Sequence, residues 1–157
     1  MIWLIATAMI MTPCVGIDRE PQTRIRSSEQ TIEYSNADIR LFEQIIEAEV
    51  MPTWSLDGYL LVAQTVMNQL ETGLYGSGIR DVLTHDNNYT VYTSNRYKRV
   101  YVTDNARQAV KIALSGSDRM NYGQLYFCTV SHLRNNPNGL HGRSEQVATY
   151  ENVIFCR

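Results

Sequence analysis

From Ile39 to Val50 the apolar residues recur at helical spacing: at about 100° per residue, Ile39, Phe42, Ile45 and Ile46 share one face. Glu49 falls on the same face, angularly between Phe42 and Ile45, where a core residue is expected. Arg40, Glu43, Gln44 and Glu47 fall on the other side, as solvated positions do. The pattern predicts a helix that leaves Glu47 in water and draws Glu49 toward the core. Ser35 followed three residues later by Asp38 has the order of a capping box, and Pro52 stops the helix near Val50.

Ser55 offers a second cap. From Tyr59 to Glu71, Leu60, Leu61, Val62, Ala63, Val66, Met67 and Leu70 cover a wide helical face, as in a core helix, until Gly73 ends it. Gly73, Gly76 and Gly78 make a loop before a short helical turn, Ile79 to Leu83, and His85 to Asn88 is a turn. Tyr89 to Val102 alternates β-branched and aromatic residues with polar ones, which predicts a hairpin or irregular strands. Thr103 and Asp104 cap a third helix, Asn105 to Leu114, closed by Gly116. Leu125 to Val130 reads as a strand, Asn135 to Gly139 as a surface loop. Val147 to Tyr150 and Val153 to Cys156 read as a small antiparallel pair. Helices first and strands later predict an α+β fold, with a helical lobe, a small sheet lobe and a groove between them.

Length adds that the chain holds one domain of ordinary size: 157 residues, of which the first segments are not globular in composition. Residues 1–16 carry no charged side chain and are mostly apolar, as in a secretory signal peptide or a membrane anchor. Residues 17–36 read as a polar linker, and 37–157 as the functional domain. Cys14 sits where a lipoprotein signal has its cysteine, but the bulky residues and proline before it are wrong for that processing. An exported protein of the cell envelope or extracellular space is expected.

A net charge of −2 gives no polyelectrolyte signal for nucleic acid. Cys14, Cys128 and Cys156 lack metal-ligand spacing, and neither a metal nor another cofactor is expected. Cys128 and Cys156 lie in strand-like runs and either face each other as a disulfide or remain buried thiols. His85, His132 and His141 show no ligand spacing and read as solvated loop residues. The ten tyrosines suit half-buried strands, and also the sugar-stacking walls of a carbohydrate groove.

The candidate for chemistry is Glu49. A carboxyl at the end of an apolar stripe is partly desolvated, which disfavours its charged form and raises its pKa, as a general acid near neutral pH requires. The alternative is an ordinary helix-end glutamate that bends to water or pairs with an arginine. Gln64 and Asn68 lie one turn apart on the second helix. They either orient Glu49 and bond a substrate amide or are satisfied by local backbone.

The order of segments resembles the cell wall hydrolase family of spore-cortex-lytic enzymes. Ile45-Ile46-Glu47-Ala48-Glu49-Val50, then Asp57-Gly58, then Val62 to Asn68 are similar to that family's opening. Ile79 to Leu83, Tyr89-Thr90, Asn105 to Gly116 and Leu125-Tyr126-Phe127 match its later motifs in the same order. Met51-Pro52-Thr53-Trp54 with Ala63-Gln64 also resembles sporulation peptidoglycan lytic transglycosylases. Three departures stand out. Thr53 occupies the place of the family's second glutamate, Gln69 replaces an arginine, and Glu151 to Phe155 lack the family's terminal histidine.

The resemblance implies a lysozyme-like or lytic-transglycosylase-like fold acting on peptidoglycan. Glu49 would serve as the acid and base that cleaves the β-1,4 bond between N-acetylmuramic acid and N-acetylglucosamine. Tyr89, Thr90 and Tyr126 occupy motif positions and are expected to line the glycan groove, with Gln64 and Asn68 beside them. A monomer is expected. A hydrolase of the common kind needs a second carboxylate roughly 5 to 9.5 Å away, for which Asp57, Asp81, Asp86 and Asp104 are the candidates. Two other functions compete: a non-catalytic glycan-binding domain tethered to the envelope, consistent with the missing second glutamate and histidine, and a membrane-tethered structural domain. A binder sediments with walls and leaves them intact; a structural domain neither binds nor lyses them.

Overall fold

The computed structural model describes residues 34–86 and 88–157. The predicted signal or anchor segment, Cys14 and all but the last residues of the polar linker lie outside them. Helix α1 (Asn36–Glu49) starts at Ser35, whose hydroxyl accepts from the Asp38 N–H. It buries Leu41, Phe42, Ile45, Ile46 and Ala48. Full burial of each large apolar side chain contributes about 1.5–3 kcal/mol, enough to offset the cost of pulling the Glu49 carboxyl out of water at the end of the stripe.

Helix α2 (Leu56–Thr72) is the centre of the helical lobe and is buried from Gly58 to Val66. Gly73, in the left-handed conformation at φ 65°, ends it. Helices α1, α3 (Ile79–Thr84) and α5 (Asp104–Leu114) pack around it. At its start, the Trp54 and Tyr150 rings meet edge to face at 4.9 Å, and the Tyr150 hydroxyl accepts from the Ser55 N–H. Gly58 makes this closure possible, since a Cβ there would stand 2.7 Å from carbons of both rings.

Strands β1 (Tyr126–Thr129), β2 (Gln146–Tyr150) and β3 (Val153–Cys156) form an antiparallel sheet in the order β1-β3-β2. The central strand is buried throughout, and Phe127 pairs with Phe155 across the first ladder. Cys128 stands opposite Ile154 and Cys156 opposite Tyr126, a diagonal relation in which both thiols are free. The α+β architecture is that expected from the order of segments. Among the described residues no helix is long and apolar enough to cross a membrane.

Two stretches differ from expectation. Tyr89 to Val102 forms no strand: Thr90–Thr93 is a helical turn, α4, and Arg96–Arg99 a 3₁₀ turn. No neighbouring strand offers this segment a ladder, and Tyr92 stacks instead on Tyr97 at 5.3 Å, so tertiary packing overrides β-propensity. After β1 the chain makes two short helices, α6 (Val130–Asn135) and α7 (Leu140–Arg143), on either side of the expected Asn135 to Gly139 loop.

Glu47 also departs from the solvated role. Its carboxylate accepts from the Thr103 N–H at 2.9 Å, the Thr103 hydroxyl at 2.7 Å and the Tyr59 hydroxyl at 3.3 Å. Thr103 caps α5, so Glu47 joins α1 to α2 and to the start of α5.

Candidate active site

A cleft of about 270 Å³ opens where the end of α1, the turn before α4, strand β1 and α7 converge. Glu49 lines it, together with Gln69, Tyr75, Asn88, Tyr89 and Thr90 on the helical side and Tyr126, Phe127, Leu140 and His141 on the sheet side. Glu49 is the one carboxylate in that lining.

Burial raises the Glu49 pKa above the ordinary glutamate value. The Arg96 guanidinium and the Val91 backbone N–H oppose the shift and do not cancel it. Arg96 is held there because it donates to the Ala48 carbonyl at the end of α1, where cations are favoured. The result is a carboxyl that keeps its proton to a higher pH than a solvated glutamate, with a cation near enough to favour its charged form once the proton has left.

Gln69 organises the floor. Its amide exchanges two hydrogen bonds with the Asn88 amide, at 3.1 and 3.2 Å, donates to the Leu125 carbonyl at 2.7 Å and accepts from the Tyr89 hydroxyl at 2.9 Å. Tyr89 is buried, and its pKa is driven well above 10 by burial first, then by Glu49 and Tyr75. The phenol therefore stays neutral beside the acid. Opposite, burial first and then the neighbouring Tyr126 phenol push Tyr75 up to about 12. His141 lies edge-on to Tyr126 and to His132, with ring centroids 6.2 and 5.5 Å away. Desolvation first and then the neighbouring imidazole lower its pKa, so it enters the cleft as a neutral ring.

Of the residues predicted for the site, Glu49, Tyr89, Thr90 and Tyr126 come together. Gln64 and Asn68 do not. Gln64 donates to the carbonyls of Ser117 and Arg119, and Asn68 to the side chain of Asn121 and the carbonyl of Gln124. Both fasten the loop after α5 onto α2, which is the backbone-satisfied alternative. The four aspartates considered as partners for Glu49 are elsewhere as well. Asp57 pairs with Arg119 and Asp104 with Arg107, Asp81 accepts from the Gly78 N–H at the start of α3, and Asp86 is exposed.

Sequence reasoning missed Gln69 and His141. Gln69 follows Val62 and Val66 along one row of α2, so an uncharged amide in an apolar row was its signal. His141 was expected in a solvated loop but belongs to α7, half-buried against β1; four residues of helix leave no periodicity to read. Among the described residues no group of three or more His, Cys, Asp or Glu side chains is arranged to hold a metal ion.

A family model described as cell wall hydrolase matches residues 55–156. Glu49 stands six residues ahead of that span. Two solved structures share the fold. The catalytic domain of the Bacillus cereus SleB protein superposes with a TM-score of 0.67 at 18% identity, over 83% of this chain and 99% of that one. The catalytic domain of the germination-specific lytic transglycosylase SleB from Bacillus anthracis gives 0.65 at 18%, over 80% and 98%. No curated protein matches at the level of sequence.

Proposed function

This chain belongs to the cell wall hydrolase family, and on that premise we propose that it cleaves peptidoglycan as a lytic transglycosylase with Glu49 as general acid and base. The observation that carries the reading is that Glu49, its pKa raised by burial, is the one carboxylate lining the cleft. The similar Bacillus anthracis domain is that of a germination-specific lytic transglycosylase.

The step follows from that geometry. The protonated Glu49 donates to the glycosidic oxygen between N-acetylmuramic acid and N-acetylglucosamine as the C1–O bond breaks, leaving an oxocarbenium-like sugar. The new carboxylate, steadied by Arg96 and the Val91 N–H, takes the proton of the muramoyl 6-hydroxyl as that oxygen closes on C1. A 1,6-anhydro end forms, Glu49 regains its proton and no water is consumed. One residue serves both halves, so no second carboxylate is needed; the two-carboxylate route requires a partner roughly 5 to 9.5 Å away, and the lining contains none.

Tyr126, Phe127 and the neutral His141 ring form one wall for sugar faces, while Tyr89 and Thr90 border the acid. The cleft lies near the lower limit of small-molecule sites, which suits one sugar ring and its scissile bond, with the strand continuing over the surface. The enzyme works as a monomer at the cell envelope or outside the cell. Residues 1–16 export it or tether it to a membrane.

Loss of turbidity of purified walls tests the reading, with Glu49→Gln as the control. Lysis by the unmodified protein and none by the variant supports it. Walls that bind the protein and stay intact would identify a glycan binder.

A further inference from the structure

The 3₁₀ turn Arg96–Arg99 puts three cations into four residues of a chain whose net charge is −2. Arg96 is committed to the Ala48 carbonyl and to Glu49. Lys98 and Arg99 are exposed and have no ion-pair partner among the described residues. Of the nearby acids, Asp104 pairs with Arg107 and Glu47 accepts from Thr103. Uncompensated positive charge therefore gathers at one place.

Aromatic surface accompanies it. The Lys98 ammonium lies 5.6 Å from the Tyr97 ring centroid, Tyr97 stacks on Tyr92, and Tyr101 is 84% exposed. Single exposed apolar residues need no explanation, but a stacked tyrosine pair, a bare tyrosine and two unpaired cations within ten residues form a surface suited to an amphipathic anionic chain. Asn95 adopts the left-handed conformation at φ 56°, which turns the chain after α4. The turn then packs against α1 and α4. Glu49 ends the first of these and Thr90 begins the second, and Arg96, the first residue of the turn, acts on the Glu49 carboxyl, so the turn starts beside the acid.

We infer that Lys98 and Arg99, with Tyr97 and Tyr101, form an accessory subsite for the carboxylate-bearing peptide arms carried by the muramoyl sugars of the glycan. The inference rests on the peptidoglycan reading above. The arms branch from the sugar whose C1 is attacked, so an arm beside the scissile bond can reach a surface adjoining Glu49. The cations select for peptide-bearing strands, and the rings carry the apolar part of the arm.

Both charges are solvent-exposed and screened over about 8 Å at physiological salt. Their joint contribution is therefore modest, about threefold to tenfold in affinity. The test is the dissociation constant of end-labelled glycan strands by fluorescence anisotropy, in the Glu49→Gln background so that no strand is cut. Strands with intact peptide arms are compared with strands stripped of them by an amidase, before and after adding Lys98→Gln and Arg99→Gln. The expected result is tighter binding of peptide-bearing strands, a preference that falls about threefold to tenfold in the double substitution, and a shallower salt dependence. Equal affinity for the two strands, or equal loss on both, would overturn the inference. Poly(glycerol phosphate) bound more tightly than peptide-bearing strands through the same two residues would overturn it too, by assigning the patch to a phosphate polymer. Absence of wall lysis by the unmodified protein, with the strand preference retained, would count against the enzymatic reading and leave the subsite standing.

Discussion

Glu47 and Glu49 stand two residues apart at the end of α1 and face different surroundings: Glu47 accepts hydrogen bonds from Thr103 and Tyr59, and Glu49 enters the cleft under Arg96. One glutamate fastens the helices and the other lines the cleft with its pKa raised by burial. Their substitutions should therefore separate. Glu47→Ala leaves the Thr103 N–H and hydroxyl without their partner and is expected to cost about 1–3 kcal/mol, read as a lower urea midpoint. Glu49→Gln keeps the fold and is expected to lower lytic activity by at least 10² to 10⁴, read as the rate of turbidity loss.

The raised pKa of Glu49 fixes the sign of a pH effect. Because the folded chain binds this proton more tightly than the unfolded chain, the resulting stabilisation is complete below the unfolded-state pKa and is lost as pH rises through the folded-state value. At neutral pH and above, Glu49→Gln is therefore expected to unfold at a higher temperature than the unmodified protein, and near pH 4 the difference should vanish. In the same window kcat/KM of the unmodified enzyme should fall with rising pH, since the acid must begin protonated. Melting scans and pH–rate profiles check both.

Gln69 satisfies Asn88, Tyr89 and Leu125 at once. Gln69→Leu keeps its bulk but strands these partners, at an expected cost of about 1–3 kcal/mol. With the Tyr89 hydroxyl released beside Glu49, activity should fall as well, which combined urea titration and lysis assays will show.

Gly58 lies under the Trp54 and Tyr150 rings, where an added methyl meets both at 2.7 Å. Gly58→Ala is expected to destabilise by about 1–3 kcal/mol through overpacking, while leaving the cleft, which Gly58 does not line, intact. Calorimetry gives the first effect. Wall lysis below the new melting point gives the second.

The helical lobe was legible because α1, α2 and α5 carry regular periodicity with caps at Ser35, Gly73 and Thr103. The position of Glu49 followed from the same stripe. Tyr89 to Val102 was misread because its aromatic and β-branched residues favour strands, and a sequence does not show that the segment has no strand to pair with and stacks Tyr92 on Tyr97 instead. Gln64 and Asn68, one turn apart on α2, fit a substrate-binding or a backbone-satisfied role equally in the sequence, and the loop after α5 takes them. His141 and Tyr75 were beyond the reach of sequence patterns, since one enters the cleft from the four-residue α7 and the other from the loop after α2, and neither segment carries periodicity.

Mass spectrometry of the glycan ends released from purified peptidoglycan in labelled water addresses the central claim most directly. A single acid that directs the muramoyl 6-hydroxyl onto C1 predicts anhydro ends, one water lighter than reducing ends and free of label, and none released by Glu49→Gln. Labelled reducing ends, or undiminished product from that variant, would contradict it.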